Sequence, residues 1–174
     1  MYNAYRFYVF TKPSAVLKDV KGGARHRKSN MSQQAVSKEK PVFTGPEADR
    51  LALRELLDSY SDAVNRRDPG ALAASWTEDA VWTFRGLDQI GRDAIVSNWS
   101  QAMDGFEAVW FSAFPGSIAV DGDTAHMITH TFEYLKPVGA APRLQSGIYE
   151  DRAVRLATGW HFAKRSFTPK EMTL

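Results

Sequence analysis

The sequence predicts an α+β domain in which three helices come first, long antiparallel strands follow, and the helices cover one face of a curved sheet. Two observations carry this prediction. Before Gly105, apolar residues recur at helical spacing in three stretches, whereas after it the apolar period changes to two. At 174 residues, the chain has room for one domain with a substantial core.

The first helix is predicted to begin near Thr44, which has capping-box spacing with Glu47, while Pro46 suits the first turn. Its apolar side repeats at helical spacing and comprises Leu53, Leu56, Leu57, Tyr60, Ala63 and Val64. Pro69 ends this helix. Asp68 is then the predicted N-cap of a short second helix, with Pro69 at its first position.

A short strand and a third helix follow. The segment AVWTF, ending at Phe84, has the β-branched and aromatic residues that favour a strand. Gly86 to Gly91 is predicted to be a loop. The third helix is predicted over residues 92–103, with Ile95 and Trp99 on its apolar side.

Four strands complete the predicted domain. The first covers residues 107–120 and is interrupted by Pro115-Gly116, a natural place for a β-bulge. Asp121-Gly122 then predicts a hairpin turn. The remaining strands are predicted over residues 124–136, 144–156 and 160–167.

The N-terminal segment differs from the body in charge. Residues 1–40 carry nine Lys and Arg against two acidic residues, a net charge of +7, and the remaining residues carry −5. We predict a disordered basic extension over residues 1–43 and a domain over 44–170, since this composition cannot bury enough apolar surface to order itself. A nucleic-acid or membrane-surface arm is the alternative. No secretory signal is evident, and translation from Met1 or from Met31 fits equally.

Composition also bears on partners and cofactors. The acidic body argues against a nucleic-acid groove, and no apolar run is long enough to span a membrane. The chain has no cysteine, which excludes disulfides and thiolate chemistry and fits the cytoplasm. His126 and His130 are four apart in a strand but have no evident third ligand, so we expect no metal site.

Four motifs in fixed order resemble the SnoaL-like branch of the nuclear-transport-factor-2-like (NTF2-like) superfamily. They lie at Tyr60–Trp82, Gly91–Ile95, Val120–Ala125 and Gly147–Arg165. The resemblance implies a cone of sheet and helices around one hydrophobic pocket, often in a homodimer. Members include polyketide cyclases, scytalone-type dehydratases, ketosteroid isomerases and the structural small subunits of dioxygenases, so the fold does not fix the function.

Three positions follow from this resemblance. Tyr60 lines up with the tyrosine that isomerase-like members direct at the developing oxyanion, although it could equally be a core residue. The base of those isomerases falls on Phe84, which cannot accept a proton. Asn65 stands near an acid of dehydratase-like members and would either orient a water or carbonyl or cap its helix. The histidine of those members is missing from residues 108–114.

The strand 124–136 offers two alternatives, because its side chains alternate between two faces. One face carries His126 and His130, and the other carries Glu133. If the first face lines the pocket, His130 is the best general acid or base. If the second does, Glu133 is the titratable candidate on this strand.

The next strand places Tyr149 and Asp151 on one face. By resemblance, Asp151 falls near a protonated aspartic acid that acts as a second oxyanion donor in isomerase-like members. The alternative is an exposed ion pair of Asp151 with Arg152, Arg155 or Lys164. Aromatic residues elsewhere are candidate walls for a planar ligand, among them Trp82, Phe84 and Trp110.

Two functions of different class remain open. The first is a cofactor-independent dehydratase, isomerase or cyclase that moves a proton on a hydrophobic, cyclic, oxygenated substrate. Its catalytic residues would be Tyr60, His130 and Asp151, and its substrate-binding residues would be Asn65, Trp82, Phe84, Trp110 and Tyr149. The second is a non-catalytic binding or assembly module that has lost the usual acid and base. A closed pocket with His130 or Asp151 beside Tyr60 would favour the enzyme.

Overall fold

The computed structural model describes residues 42–170, so most of the predicted N-terminal extension lies outside the described residues. Three helices lie at Glu47–Arg66 (α1), Pro69–Ala74 (α2) and Arg92–Met103 (α3). Seven strands lie at Phe43–Thr44 (β1), Trp76–Phe84 (β2), Leu87–Ile90 (β3), Phe106–Asp121 (β4), Thr124–Pro137 (β5), Arg143–Leu156 (β6) and Gly159–Lys170 (β7). The helix-then-strand order predicted from the sequence is confirmed. No helix in this part of the chain is long and apolar enough to cross a membrane.

The helix ends agree with the sequence in two places and differ in a third. The Oδ1 atom of Asp68 accepts a hydrogen bond from the N–H of Ala71 at 2.9 Å, which confirms the predicted cap of α2. α3 has the predicted bounds. The predicted capping box is wrong, because Thr44 lies in β1 and α1 begins after Pro46 without a side-chain cap.

The strands form one sheet in the order β1-β4-β5-β6-β7-β2-β3. β4 to β7 are an antiparallel meander, as predicted. The expectation of a wholly antiparallel sheet needs correction, because β1 pairs with β4 and β2 pairs with β7 in parallel. The segment between β2 and β7 is long and includes α3. It therefore allows the chain to return so that β7 lies beside β2 in the same direction.

Local turn chemistry explains the remaining sheet details. The predicted interruption of β4 is confirmed as a register shift between Pro115 and Ser117. The predicted loop after β2 instead contains β3, which forms a hairpin with β2. Arg85 (φ 52°) and Gly86 (φ 76°) both have positive φ, as a two-residue type I′ hairpin turn requires.

The two faces of the sheet have different surroundings. The inner face packs on α1 and α3, with Leu53, Leu57, Ile95 and Trp99 fully or almost fully buried. The outer face of β4 and β5 exposes several large aromatic side chains, and we call this group the outer aromatic face: Trp110, Phe114, Phe132 and Tyr134.

Candidate functional site

A cavity lies between the inner face of the sheet and helices α1 and α3. The space enclosed by its walls is about 20 Å³, and the volume reaches about 400 Å³ only when the open space at its mouth is included. Its walls are mostly apolar, and its lining residues are Tyr60, Val64, Trp82, Phe84, Trp99, Met103, Val109, Phe111, Glu133, Leu135, Gln145, Tyr149 and Phe167. An apolar cavity with a few convergent polar groups is the usual form of a small-molecule site.

Glu133 is the one carboxyl group among the lining residues. It points inward because it shares a face of β5 with Met127, Thr129 and Leu135, all of which are buried. Burial raises the pKa of Glu133 to about 7, and the nearby Gln145 amide and Arg143 guanidinium lower it only in part. The Gln145 Nε2 atom donates to Glu133 Oε1 over a long 3.5 Å. Near neutral pH, Glu133 is therefore present both as acid and as base.

The raised pKa of Glu133 gives a testable effect on stability. The folded state holds the proton up to about pH 7, whereas an ordinary glutamate loses it near pH 4.5. The unfolded state therefore binds fewer protons in that window, and the unfolding free energy should fall as the pH rises. We expect Glu133 to account for a fall of about 3 kcal/mol between pH 4.5 and pH 7.

Urea unfolding of the native protein and of Glu133→Gln at pH 5 and pH 8 measures this effect. The variant should be clearly the more stable protein at pH 8 and should differ little at pH 5. The exposed Glu150 provides the control, since Glu150→Gln should leave the native pH dependence intact. Parallel pH dependences of the native protein and Glu133→Gln would contradict the assignment.

Tyr60 and Tyr149 place two phenols in the same cavity. Tyr60 lies on the buried side of α1 and is 3% exposed, and its hydroxyl group hydrogen-bonds Tyr149. Burial raises the pKa of Tyr60, and the charges of Glu133 and Asp151 raise it further, while Arg165 lowers it. Tyr60 therefore stays neutral and able to donate a hydrogen bond.

Asp151 lies in the interior but does not line the cavity. Its Oδ1 atom accepts from Arg165 Nε at 2.8 Å, and its Oδ2 atom accepts from Arg165 Nη2 at 3.2 Å and from Thr129 Oγ1 at 2.8 Å. Both charged side chains are 0% exposed. The structure thus corrects both alternatives drawn from the sequence, because Asp151 is neither free to donate to an oxyanion nor part of an exposed ion pair.

His130 and Trp110 lie on the side of the sheet opposite the cavity. Side chains along β4 and β5 alternate between the two faces of the sheet. On the outer face, Trp110 is 62% exposed, and the His130 ring packs on Phe114 with ring centroids 5.5 Å apart. The structure therefore does not bring His130 together with Tyr60, and Trp110 does not form a cavity wall. Of the two faces of β5, the one that carries Glu133 is the inner face.

Asn65 fastens α1 to β4. Its Nδ2 atom donates to the Phe111 carbonyl at 2.9 Å, and its Oδ1 atom accepts from the Phe111 N–H at 2.7 Å. The expected helix cap is not formed, since α1 ends instead at Arg67 in the left-handed conformation. Asn65 thereby fixes Phe111, which lines the cavity, without lining it itself. The expected binding residues Trp82, Phe84 and Tyr149 do line it.

The described residues contain no group of three or more His, Asp or Glu side chains that could hold a metal ion. The polar groups of the cavity are those of Tyr60, Glu133, Gln145 and Tyr149, together with the Trp82 indole. This set can accept a proton, return it and donate hydrogen bonds to an oxygen atom.

Comparison with known proteins agrees with the geometry. The sequence-family model that describes the SnoaL-like domain matches residues 47–166 of this chain. An uncharacterised protein of Mycobacterium tuberculosis is 33% identical over 122 residues, which cover 68% of this chain and 83% of the relative.

Among the solved structures that share the fold are two candidate dehydratases. A candidate scytalone dehydratase from Novosphingobium aromaticivorans is 19% identical with a TM-score of 0.65, over 72% of this chain and 87% of that chain. A candidate dehydratase of the NTF2-like family from Streptomyces avermitilis is 16% identical with a TM-score of 0.65, over 73% of this chain and 100% of that chain. With its α+β cone and its match to the SnoaL-like domain over residues 47–166, the chain belongs to the SnoaL-like family.

Proposed function

We propose that the protein is a cofactor-independent lyase or isomerase that moves a proton on a hydrophobic, cyclic, oxygenated substrate. The observation that carries this proposal is Glu133, a carboxyl group buried in the cavity wall with its pKa raised to about 7. General acid–base catalysis is most efficient when the pKa of the group lies near the working pH. Glu133 thus takes the role that sequence reasoning gave to His130.

The two tyrosines complete the proposed machinery. When Glu133 removes a proton from a carbon next to a carbonyl group, negative charge develops on the carbonyl oxygen. Tyr60 and Tyr149 line the same cavity, and a neutral phenol can donate a hydrogen bond to that oxygen. Gln145 donates to Glu133 and so orients its carboxyl group.

The walls support a hydrophobic ring as the substrate. Trp82, Phe84 and Phe167 line the cavity, and the Phe84 and Phe167 rings are stacked with an interplanar angle of 6°. Flat apolar surfaces of this kind bind planar or cyclic molecules. The dehydratase names of two proteins with this fold support an elimination of water as the overall reaction.

Proton exchange tests the proposal without knowledge of the natural substrate. The protein is incubated in D₂O with a panel of cyclic ketones such as 1-tetralone and 4-chromanone, and deuterium at the carbon next to the carbonyl is followed by mass spectrometry. We expect exchange faster than in buffer for at least one ketone. Binding of these ketones without any added exchange would favour the alternative, a non-catalytic binding module.

We also propose that the partner of this chain is a second copy of it, joined through the outer aromatic face. Trp110 and Phe114 of β4 are 62% and 56% exposed. On β5, Tyr134 lies opposite Trp110, and Phe132 lies opposite Ser112, between the two β4 aromatic residues. Contiguous apolar patches on a protein surface usually mark an interaction site. A flat face of this kind can pair with its own copy about a two-fold axis.

Light scattering tests the proposed dimer. The native protein should have the mass of a dimer at micromolar concentration, and Phe132→Lys should shift it to a monomer, since the new charge would be buried against its own copy. Leu87 of β3 is 56% exposed and lies outside this face, so Leu87→Lys is the matched control. A native protein that is monomeric at tens of micromolar contradicts the proposal.

A further inference from the structure

Arg165 is a buried cation next to the cavity, and it lies against both of the cavity tyrosines. Its Cζ atom is 4.3 Å from the centroid of the Tyr60 ring and 4.1 Å from that of the Tyr149 ring. A third ring, Phe162, lies at 4.1 Å. The guanidinium group is thus enclosed by three aromatic faces, an arrangement that attracts a cation.

Asp151 and Thr129 hold Arg165 in this place. The carboxylate of Asp151 accepts from Arg165 through both of its oxygens, and Thr129 donates a further hydrogen bond to it. All three residues are fully or almost fully buried. A long, flexible arginine side chain is therefore restrained to one position beneath the two phenols.

We infer that Arg165 is a positioning residue for the proposed reaction. Its positive charge stabilises the negative charge that the Tyr60 and Tyr149 phenols take up when they bind an anionic substrate oxygen. The inference rests on the proposed function for its role in catalysis, whereas the coupling between Arg165 and the phenols can be measured without any substrate. It also narrows the substrate class to carbonyl compounds, whose oxygen becomes anionic when a neighbouring carbon loses a proton.

The physical basis is the charge distribution in the phenol. As the hydroxyl group gives up its proton to an oxyanion, negative charge spreads into the ring, and a cation against the ring face is attracted more strongly. The charged groups that act on Tyr60 are Arg165 of β7, Asp151 of β6 and Glu133 of β5. Arg165 lowers the pKa of Tyr60, and the two carboxyl groups raise it. Among these charges, Arg165 has the largest effect.

The sign of this coupling can be tested by titration. The protein is labelled with 3,5-difluorotyrosine, whose phenol ionises near neutral pH, and ¹⁹F NMR follows Tyr60 after assignment with Tyr60→Phe. Asp151→Asn should lower the ionisation midpoint of Tyr60, because it removes a negative charge. Asp151→Asn combined with Arg165→Gln should raise it above the native value by about 1 unit, since nearby opposite charges typically shift a pKa by about 1 to 3 units.

The matched control is Lys164→Gln, which removes an exposed cation from the neighbouring position of β7 and should leave the midpoint unchanged. A merely structural role for Arg165 predicts equal midpoints in the native protein and the double variant, and that result overturns the inference. If circular dichroism shows that the variants do not fold, the native protein labelled with ¹⁵N-arginine is used instead. The Arg165 guanidinium signals should then shift with the midpoint of Tyr60, and their failure to shift also overturns it.

These outcomes are separate from those of the proposed function. If the titration shows no effect of Arg165 on the pKa of Tyr60, the inferred role of Arg165 is rejected, and the proposed exchange reaction of Glu133 is not affected by that result. Absent exchange with all ketones removes the proposed reaction, while the effect of Arg165 on the phenols is still measured.

Discussion

Glu133→Gln is expected to lower the rate of proton exchange in the cavity by about 10²- to 10⁴-fold, the usual contribution of a general acid or base. Glutamine has nearly the same shape as glutamate and can still accept the Gln145 hydrogen bond, so the cavity should keep its form. It has no ionisable group that could take the proton from the substrate. Ketone binding, measured by NMR, should therefore change much less than the rate.

The pH dependence adds a second readout for the same change. If Glu133 is the base, the native exchange rate should rise as the pH passes through about 7, where its carboxyl group loses its proton. The residual rate of Glu133→Gln should follow that of the buffer. Glu150→Gln changes an exposed carboxyl group of the adjacent strand and should keep the native rate and profile. A Glu133→Gln variant with an unchanged rate would remove Glu133 from the mechanism.

Most of the fold could be predicted from the sequence because its signals are local. The Asp68-Pro69 cap, the bounds of α3 and the bulge at Pro115-Gly116 each depend on a few adjacent residues. β1 could not be predicted in this way. It is two residues long and forms only through parallel pairing with Ile118 and Ala119 of a distant strand.

The site was harder to predict because β5 reverses the usual distribution of residue types. Its inner face carries Thr129, Thr131 and Glu133, whereas its outer face carries Phe132 and Tyr134. An apolar-inside rule therefore gives no clear choice between the two faces. Ala125, Met127 and Leu135 could have identified the inner face. They alternate along β5 on the same face as Glu133, and all three are buried.

The partner of Asp151 was missed because of one bulge. Counting back from the turn between β6 and β7, where Leu156 pairs with Gly159, places Asp151 opposite Lys164. A register shift between Arg152 and Ala153 moves the pairing by one residue, so that Asp151 lies opposite Arg165. Because side chains alternate along a strand, this shift replaces an exposed lysine with a buried arginine.

Arg165→Met is expected to have the largest effect on stability, lowering the free energy of unfolding by about 3 to 5 kcal/mol. The change removes the cation but leaves the Asp151 carboxylate buried, with only the Thr129 hydroxyl group among its present side-chain donors. An uncompensated buried charge costs far more than a missing contact. Since small domains are stable by only about 5 to 15 kcal/mol, the variant should be close to unfolding in water.

The second change in the pair should reverse much of this loss. Asp151→Asn removes the stranded charge, so the double variant should recover about 2 kcal/mol or more relative to Arg165→Met alone. Urea unfolding of the native protein, both single variants and the double variant measures the coupling, with Lys164→Met as the exposed control. Additive losses in the double variant would contradict the ion pair. Recovery to nearly the native stability would mean that the pair itself adds little net stability. Its presence in an apolar interior would then be explained better by its action on the Tyr60 and Tyr149 phenols than by folding.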